Sequence, residues 1–169
     1  MYKNARIVYI SGSMENRSYA QVKKERDRAI KKLTNVGLAT CDPLRHKDTH
    51  FKGGKAKMNL AKADYDIQQI LERDENDIRS SDALLVLTGD KPTSGTWFEF
   101  AYAKYKVKIP VVVIAPKLRR KMDEVGRAFE WTTGKASKVV RNIDEAVKVL
   151  EWFFAQRYES PHSNIEDLP

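Results

Sequence analysis

Short, largely apolar runs recur along the chain, separated by longer segments in which apolar residues follow a helical spacing. The runs Arg6–Ser11, Ala83–Thr88 and Pro110–Ala115 are rich in β-branched residues and are followed by glycine or proline, so they predict buried strands. Shorter runs at Leu38–Asp42 and Ser137–Val140 predict two further strands. The chain therefore has five predicted strands.

The segments between these strands predict helices. In the first segment Val22, Ala29 and Leu33 recur at the spacing of one helix face, and Gly37 follows as a stop signal. Strands that alternate with helices and carry no polar face are typical of a parallel sheet covered on both sides. We therefore predict an α/β fold, a flavodoxin-like (Rossmann-like) three-layer sandwich around a five-stranded parallel sheet. The predicted helices span Ser18–Asn35, Leu60 to about Ser81, Thr96–Lys106, Lys117–Phe129 and Asp144–Gln156.

No linker rich in glycine, proline or serine divides the 169 residues, so we expect one domain over 1–157 and a polar C-terminal tail over 158–169. Cys41 is the only cysteine, which excludes an intramolecular disulfide and a cysteine-rich zinc site. The longest apolar run is far shorter than the roughly 18 residues that cross a bilayer, and the N-terminus lacks the apolar core of a signal peptide. These features favour a cytoplasmic protein without a membrane partner.

Basic residues exceed acidic ones by 31 to 23, which gives a net charge of +8. In the predicted helices they are interspersed with acidic residues, so we expect them on the solvated surface, and no nucleic-acid-binding motif is present. Polymeric nucleic acid is therefore not an expected partner. His46 and His50 are four residues apart but lie in a polar loop, so we predict no metal site there. The basic residues of the first helix are Lys23, Lys24, Arg26, Arg28, Lys31 and Lys32.

Ligands of doubly wound sheets bind at the carboxyl ends of the strands. This places the candidate chemistry in the loops after Ser11, Asp42, Thr88 and Ala115. In the first of these loops Gly12 permits close approach of a ligand, and Ser13 with free backbone N–H groups could hold an anion. The alternative is an ordinary strand-to-helix turn with a serine cap.

Two carboxylates stand out. Asp74 falls on an apolar helix face, and Glu99 is flanked in the sequence by apolar residues. Asp74 continues the stripe of Ile67 and Leu71, where a charge is costly unless it is paired or useful. The alternative is that the helix breaks there and Asp74 caps a new turn. Glu99 lies between two phenylalanines near a helix start, and its alternative is the capping box formed with Thr96. At the strand ends, such a carboxylate could instead attack an electrophilic carbon.

Three segments, in this order and spacing, resemble the nucleoside 2-deoxyribosyltransferase superfamily, which contains both transferases and 2′-deoxynucleoside 5′-phosphate N-hydrolases. They are the Tyr-Ile-Ser-Gly-Ser opening from Tyr9, the Asp74–Ile78–Asp82 spacing, and the loop from Thr93 to Glu99. The resemblance covers roughly residues 5–116. It implies that Glu99 is the nucleophile, that Tyr9 orients it, and that Asp74 assists at the base. Without the resemblance, Tyr9 is simply a core tyrosine with a hydrogen-bonded hydroxyl.

The residue six positions before the nucleophile distinguishes the two branches. It is typically aspartate in the transferases and, in the hydrolases, a serine that contacts the 5′-phosphate. Here it is Thr93, whose hydroxyl can donate to a phosphate. The Gly12–Ser13 opening also resembles the hydrolases, although the following Met14–Arg17 lacks their glycine-rich continuation.

The resemblance therefore favours an N-glycosidase that hydrolyses a (2′-deoxy)nucleoside 5′-monophosphate through a glutamyl-enzyme intermediate and releases free base and (deoxy)ribose 5-phosphate. It implies no metal or organic cofactor. The alternatives are base exchange by a deoxyribosyltransferase, a non-catalytic nucleotide-binding module, and NAD glycohydrolysis. The expected substrate contacts are Ser11, Gly12, Ser13, Met14, Arg17, Arg45, Thr93, Ser94 and Gly95.

Within this set, Ser13, Thr93 and Arg17 are expected at the phosphate, and Met14 is expected to pack near the base. Arg45 could read a carbonyl edge of the base, or it is a surface arginine after a proline turn. The resemblance also implies a homo-oligomer, a dimer or larger, in which a neighbouring subunit completes the site. The basic segment that contains Arg119 and Arg120 is the candidate for that contribution.

Overall fold

The computed structural model describes residues 5–14, 17–45, 67–88, 93–115 and 136–156. The predictions for residues 60–66, the 117–129 helix, the 158–169 tail, His46, His50, Arg119 and Arg120 lie outside these ranges. In chain order the elements are β1 (Ile7–Gly12), α1 (Tyr19–Thr34), β2 (Ala39–Cys41), α2 (Ile67–Arg79), β3 (Ala83–Leu87), α3 (Ser94–Ala101), a π-helical continuation (Tyr102–Val107), β4 (Val111–Ile114), β5 (Lys138–Val140) and α4 (Ile143–Gln156).

The five strands form one sheet in the order β2-β1-β3-β4-β5, and every neighbouring pair is parallel. The predicted α/β fold is therefore confirmed. From β1 the chain runs to β2 on one side, and it then returns to form β3 on the other side of β1. This reversal is the switch point of a doubly wound sheet, and sheets of this kind bind ligands beyond the carboxyl ends of the strands at that point.

The two faces of the sheet bury different helices. Val8 and Ile10 of β1 pack with α1 and α4, whereas Tyr9 packs with Ile78 of α2 and Phe100 of α3. Side chains of a strand alternate between its faces, so Ser11 shares the face of Tyr9. Both hydroxyl-bearing residues of β1 are thus directed toward α2 and α3.

Helix α1 begins at a capping box. The Ser18 hydroxyl accepts from the Gln21 backbone N–H at 3.2 Å, and the Gln21 side chain accepts from the Ser18 N–H at 3.0 Å. Each contact satisfies an N–H group that the first helical turn leaves unpaired. The serine cap therefore lies at Ser18, which leaves Ser13 in the loop between β1 and the helix.

Gly12 ends β1 at a point where no side chain fits. A Cβ atom at this position would lie 2.7 Å from the Leu87 carbonyl oxygen and 3.1 Å from the Leu87 Cβ. Gly12 and Leu87 are register partners in the β1–β3 pair, so the two strands approach closely at their carboxyl ends.

Gly12→Ala is expected to lower the free energy of unfolding by about 1–3 kcal/mol, because the added methyl group overpacks this contact. Urea unfolding measures the loss. Gly95→Ala is the matched control, since its Cβ would meet only the Thr93 Oγ1 at 3.9 Å and alanine is the better helix former. An equal loss in both variants would contradict the close-approach explanation.

Candidate active site

Glu99 is placed by a helix that starts earlier than the sequence pattern predicts. Thr93 is the N-cap of α3, and the Trp97 N–H donates to its carbonyl oxygen at 3.1 Å. Thr96 lies inside the helix, with its Oγ1 3.2 Å from that of Thr93. The capping-box interpretation of Glu99 is therefore wrong, because Glu99 is the sixth residue of the helix and its carboxylate is directed elsewhere.

The Glu99 carboxylate is held by two hydroxyl groups from β1. The Tyr9 hydroxyl donates to Oε1 at 2.7 Å, and the Ser11 hydroxyl donates to Oε2 at 2.5 Å. Tyr9 and Ser11 are fully buried, whereas Glu99 as a whole remains partly accessible. One donor on each oxygen fixes the carboxylate plane, and among the described residues these are the two hydroxyl groups bound to it.

Burial raises the pKa of Glu99 above its usual value, because an ionised carboxylate loses hydration there. The hydrogen bonds from Ser11 and Tyr9 act in the opposite direction, while the negative charge of Asp74 adds to the increase and the positive charge of Arg26 reduces it. Burial likewise raises the pKa of Tyr9, with a further contribution from Glu99. Tyr9 therefore stays a neutral donor at physiological pH.

Glu99→Gln is expected to gain stability over the wild type as pH rises. The raised pKa means that the folded state favours protonated Glu99, so wild-type stability declines from the unfolded-state pKa, about 4.3, up through the folded-state pKa. Glutamine has no proton to lose and escapes this decline. Thermal unfolding of both proteins between about pH 4 and pH 8 measures the difference. A difference that stays constant or shrinks as pH rises would contradict the raised pKa.

Asp74 lies within an uninterrupted helix. Helix α2 continues through it to Arg79, so the predicted break at Asp74 is wrong. Its side chain is 13% exposed, and its Oδ1 accepts from the Arg73 Nη2 at 2.8 Å. Its negative charge adds to the increase that burial produces in the pKa of both Glu99 and Tyr9. The helix face that the sequence predicts to be buried is partly accessible, since Leu71 is 38% exposed.

Asp82, the last residue of the Asp74–Ile78–Asp82 spacing, lies at the amino ends of the strands, directly before β3. It accepts from the Arg6 guanidinium at 2.7 Å and from the Ile7 N–H at 2.9 Å. These contacts tie the start of β1 to the start of β3. Asp82 therefore has a structural part, away from the carboxyl ends of the strands.

Apart from Arg45, the other residues expected to contact the substrate lie on two segments, the loop after β1 and the start of α3. Ser13 is buried and follows β1, while Ser94 and Gly95 are exposed in the first turn of α3. Met14 is half-buried after Ser13. The Arg17 guanidinium is paired with Glu25 at 2.7 Å and lies 3.4 Å from the Ser13 carbonyl oxygen. Arg17 is thus near the loop, but its charge is partly neutralised.

The Arg45 side chain is 37% exposed, and its guanidinium is bound to other residues of the protein. Its Nη2 donates to both carboxylate oxygens of Asp77, at 2.7 and 2.6 Å, and its Nη1 contacts the Cys41 sulfur at 3.1 Å. Asp77 lies one turn after Asp74 on α2, so the pair links the end of β2 to that helix. The sequence analysis did not single out Asp77.

The prediction that Arg26 lies on the solvated surface is wrong. Arg26 is 2% exposed. The helical spacing indicates its burial, because position 26 falls on the same helix face as Val22, Ala29 and Leu33. All four residues are buried in α1. Over the described ranges, no group of three or more metal-ligating side chains occurs. In the same ranges no helix is long and apolar enough to cross a membrane.

The sequence matches no protein-family model and no curated protein. The fold is similar to three solved structures at probability 1.00. A conserved protein from Enterococcus faecalis V583 has a TM-score of 0.63 at 16% identity, over 88% of this chain and 99% of that one. The Clostridium botulinum CMP N-glycosidase BcmB has a TM-score of 0.53 at 13% identity, over 88% and 99%.

The third structure is a 2-deoxyribosyltransferase from the psychrotolerant bacterium Bacillus psychrosaccharolyticus. Its TM-score is 0.57 at 15% identity, over 83% of this chain and 90% of that one. The chain therefore has the nucleoside 2-deoxyribosyltransferase-like fold, as the sequence resemblance predicts.

Proposed function

We propose that this protein cleaves the N-glycosidic bond of a (2′-deoxy)nucleoside 5′-monophosphate, with Glu99 as the nucleophile. The observation that carries the proposal is the carboxylate of Glu99, which is bound by Tyr9 on one oxygen and by Ser11 on the other. A carboxylate held in one orientation at the ligand edge of this sheet is suited to attack on a sugar carbon. The similarity to an N-glycosidase and a deoxyribosyltransferase supports the same class.

In the first step an oxygen of Glu99 bonds to C1′ while the C1′–N bond breaks. The bonding electron pair leaves with the base nitrogen, and the reaction passes through an oxocarbenium-like state to a glycosyl ester. The hydroxyl donors keep Glu99 in line for this attack. Its raised pKa makes it a stronger nucleophile than an exposed carboxylate would be, at the cost of requiring a pH at which it is ionised.

In the second step the oxygen of a water molecule bonds to C1′, and the ester bond breaks with its electron pair returning to the Glu99 carboxylate. The proton released by the water neutralises the base nitrogen that left with the bonding electron pair. The products are free base and (deoxy)ribose 5-phosphate. We assign Asp74 to the base, where its ion pair with Arg73 suits a hydrogen-bond acceptor for a ring or exocyclic N–H. Arg119 and Arg120 of a neighbouring subunit remain our candidates for an added contact in a homo-oligomer.

The phosphate is assigned to the N-terminus of α3 and the loop after β1. Thr93 caps that helix, and no side-chain hydrogen bond uses its hydroxyl for the cap. The N-terminal N–H groups of a helix favour an anion, and Ser13 lies on the adjoining segment. A named activity on CMP, a nucleoside monophosphate, in one similar structure supports this choice of substrate.

A deoxyribosyltransferase is the second candidate, favoured by the similarity to the 2-deoxyribosyltransferase structure. Its chemistry shares the Glu99 ester, but a second base, rather than water, accepts the sugar. The distinction rests on the acceptor and on the 5′ substituent of the substrate.

A chromatographic assay tests both candidates. The protein is incubated with each common nucleoside, deoxynucleoside and 5′-monophosphate, with and without a free acceptor base. The proposal expects base release from monophosphates, no requirement for an acceptor, and loss of activity in Glu99→Gln. Base exchange on unphosphorylated deoxynucleosides would replace the hydrolase by the transferase. Silence on every substrate would overturn the proposed function.

Thr93→Asp is expected to raise KM for a 5′-monophosphate by about tenfold or more, with a smaller effect on the unphosphorylated nucleoside. The added carboxylate would repel the phosphate, whereas the hydroxyl of Thr93 can donate to it. Thr93→Ser is the matched control and should keep the wild-type preference. Equal changes in KM for both substrates would contradict a phosphate contact at this position.

A further inference from the structure

Arg26 is a buried arginine that the mechanism above does not use. It lies on the core-facing side of α1, between Val22 and Ala29, where an apolar side chain would be expected. Burying a guanidinium is costly unless its charge is paired and its N–H groups are bonded. Its contacts therefore indicate what the position is for.

The Arg26 guanidinium binds the backbone on both sides of Ser11. Its Nη1 donates to the Ile10 carbonyl oxygen at 2.8 Å, and its Nη2 donates to the Gly12 carbonyl oxygen at 3.1 Å. Ile10 and Gly12 are the residues immediately before and after Ser11. The guanidinium group thus fixes the short stretch of β1 from which the Ser11 hydroxyl reaches Glu99.

A carboxylate anchors the guanidinium in turn. Nη1 also donates to the Asp42 Oδ1 at 2.6 Å, and the same oxygen accepts from the Leu44 N–H at 2.9 Å. Asp42 follows β2, so the contacts run from the loop after β2, through Arg26, to β1 and on to Glu99. All of these contacts lie at the carboxyl ends of the strands.

We propose that Arg26 is a positioning residue for Glu99 that acts through Ser11. The inference rests on the proposed function for its kinetic consequences, but the placement of the carboxylate can be measured without turnover. The alternative is that Arg26 acts only by its charge. Lysine separates the two, because it keeps the charge but cannot bind two carbonyl groups and a carboxylate with a planar fork.

A double-mutant cycle of Arg26→Lys and Ser11→Ala tests the proposal. Each single variant is expected to lower kcat by about tenfold to a hundredfold with little change in KM, since the nucleophile is misplaced. Because Arg26 acts through Ser11, the double variant should fall no further than Ser11→Ala alone. Independent effects that multiply, or full activity in Arg26→Lys, would overturn the proposal.

The pH profile gives a readout that a purely structural role would not move. Among the described residues, the charged or titratable groups that act on Glu99 are Tyr9 on β1, Asp74 on α2 and Arg26 on α1; Asp74 is paired with Arg73, and Arg26 with Asp42. Weakening the Ser11 hydrogen bond should move the acid limb of kcat/KM to higher pH in both single variants. Arg6→Lys, at the far edge of β1, is the matched control and should leave kcat and the limb unchanged.

Two further measurements keep the test decisive. If Arg26→Lys does not fold, Arg26→Met with Asp42→Asn removes both charges and should reproduce the kinetics of Ser11→Ala. If the wild type has no turnover, the proposed function fails, and the side-chain NMR titration of Glu99, assigned with Glu99→Gln, still tests Arg26. An upward shift of that titration in Arg26→Lys and in Ser11→Ala supports the proposal, and an unchanged titration in Arg26→Lys overturns it.

Discussion

Glu99→Ala is expected to lower the rate of base release by roughly 10⁴-fold or more, the scale on which loss of a nucleophile acts. Without the carboxylate no glycosyl ester can form, and neither Tyr9 nor Ser11 can replace it, because both are neutral hydroxyl donors. Single-turnover kinetics on the monophosphate that the wild type cleaves measures the loss. Glu99→Gln, which keeps the shape of the side chain, should be equally inactive.

Glu151→Ala is the matched control for this prediction. Glu151 is exposed on α4, which packs against the other face of the sheet. It should therefore keep the wild-type rate. Activity in Glu99→Ala within about tenfold of the wild type would remove Glu99 as nucleophile, whatever the substrate.

Tyr9→Phe is expected to lower kcat by about 10²-fold and to move the acid limb of the pH profile upward. The substitution keeps the buried ring but removes the hydroxyl that donates to Glu99 at 2.7 Å, so the carboxylate is less well aligned. This hydrogen bond also lowers the pKa of Glu99, and its loss lets burial raise that pKa further. Because ionised Glu99 is the active form, activity is then lost at a higher pH as the solution is acidified.

Tyr102→Phe provides the control for removing a tyrosine hydroxyl. The Tyr102 hydroxyl is buried and has no hydrogen-bond partner within the described part of the chain. Its removal should leave the rate and the pH profile unchanged and should not lower stability. A Tyr9→Phe variant with an unaltered acid limb would show that the hydroxyl does not act on the carboxylate.

The strands were the most predictable part of the fold. A buried parallel strand needs a continuous apolar run, and each predicted strand agrees with the structure to within one residue at either end. Their parallel order follows from the alternation with helices. The sequence also identified Glu99, Tyr9 and Asp74 as unusual, but left a local alternative open for each.

Those alternatives could be decided only by three-dimensional contacts. Thr93 and Thr96 both suit a helix cap, and only the structure shows that Thr93 is used. A helix break at Asp74 is plausible because an interior aspartate is unfavourable, yet Asp74 is paired with Arg73 and α2 continues through it. The sequence pattern alone does not show which of these arrangements forms.

Arg26 and Asp77 were missed for a different reason. Charged residues on helices usually face solvent, and that expectation outweighed the helical spacing that places Arg26 with the core. Its partners, Asp42 and two backbone carbonyl groups, come from other elements. Asp77 likewise acquires meaning only when Arg45 is brought to it from β2. Which distant elements come into contact depends on the order of the strands and helices in the fold, and the local sequence pattern does not contain this order.

The proposed function depends on a covalent bond between Glu99 and the sugar. The most direct test is mass spectrometry of the protein after incubation with the monophosphate that it cleaves, carried as its 2′-fluoro analogue. An electronegative atom next to C1′ disfavours the oxocarbenium-like state and slows hydrolysis of the ester. We expect one added sugar phosphate per chain, located on the peptide that contains Glu99 and absent in Glu99→Gln. An adduct on another residue, or the same adduct in Glu99→Gln, would contradict it.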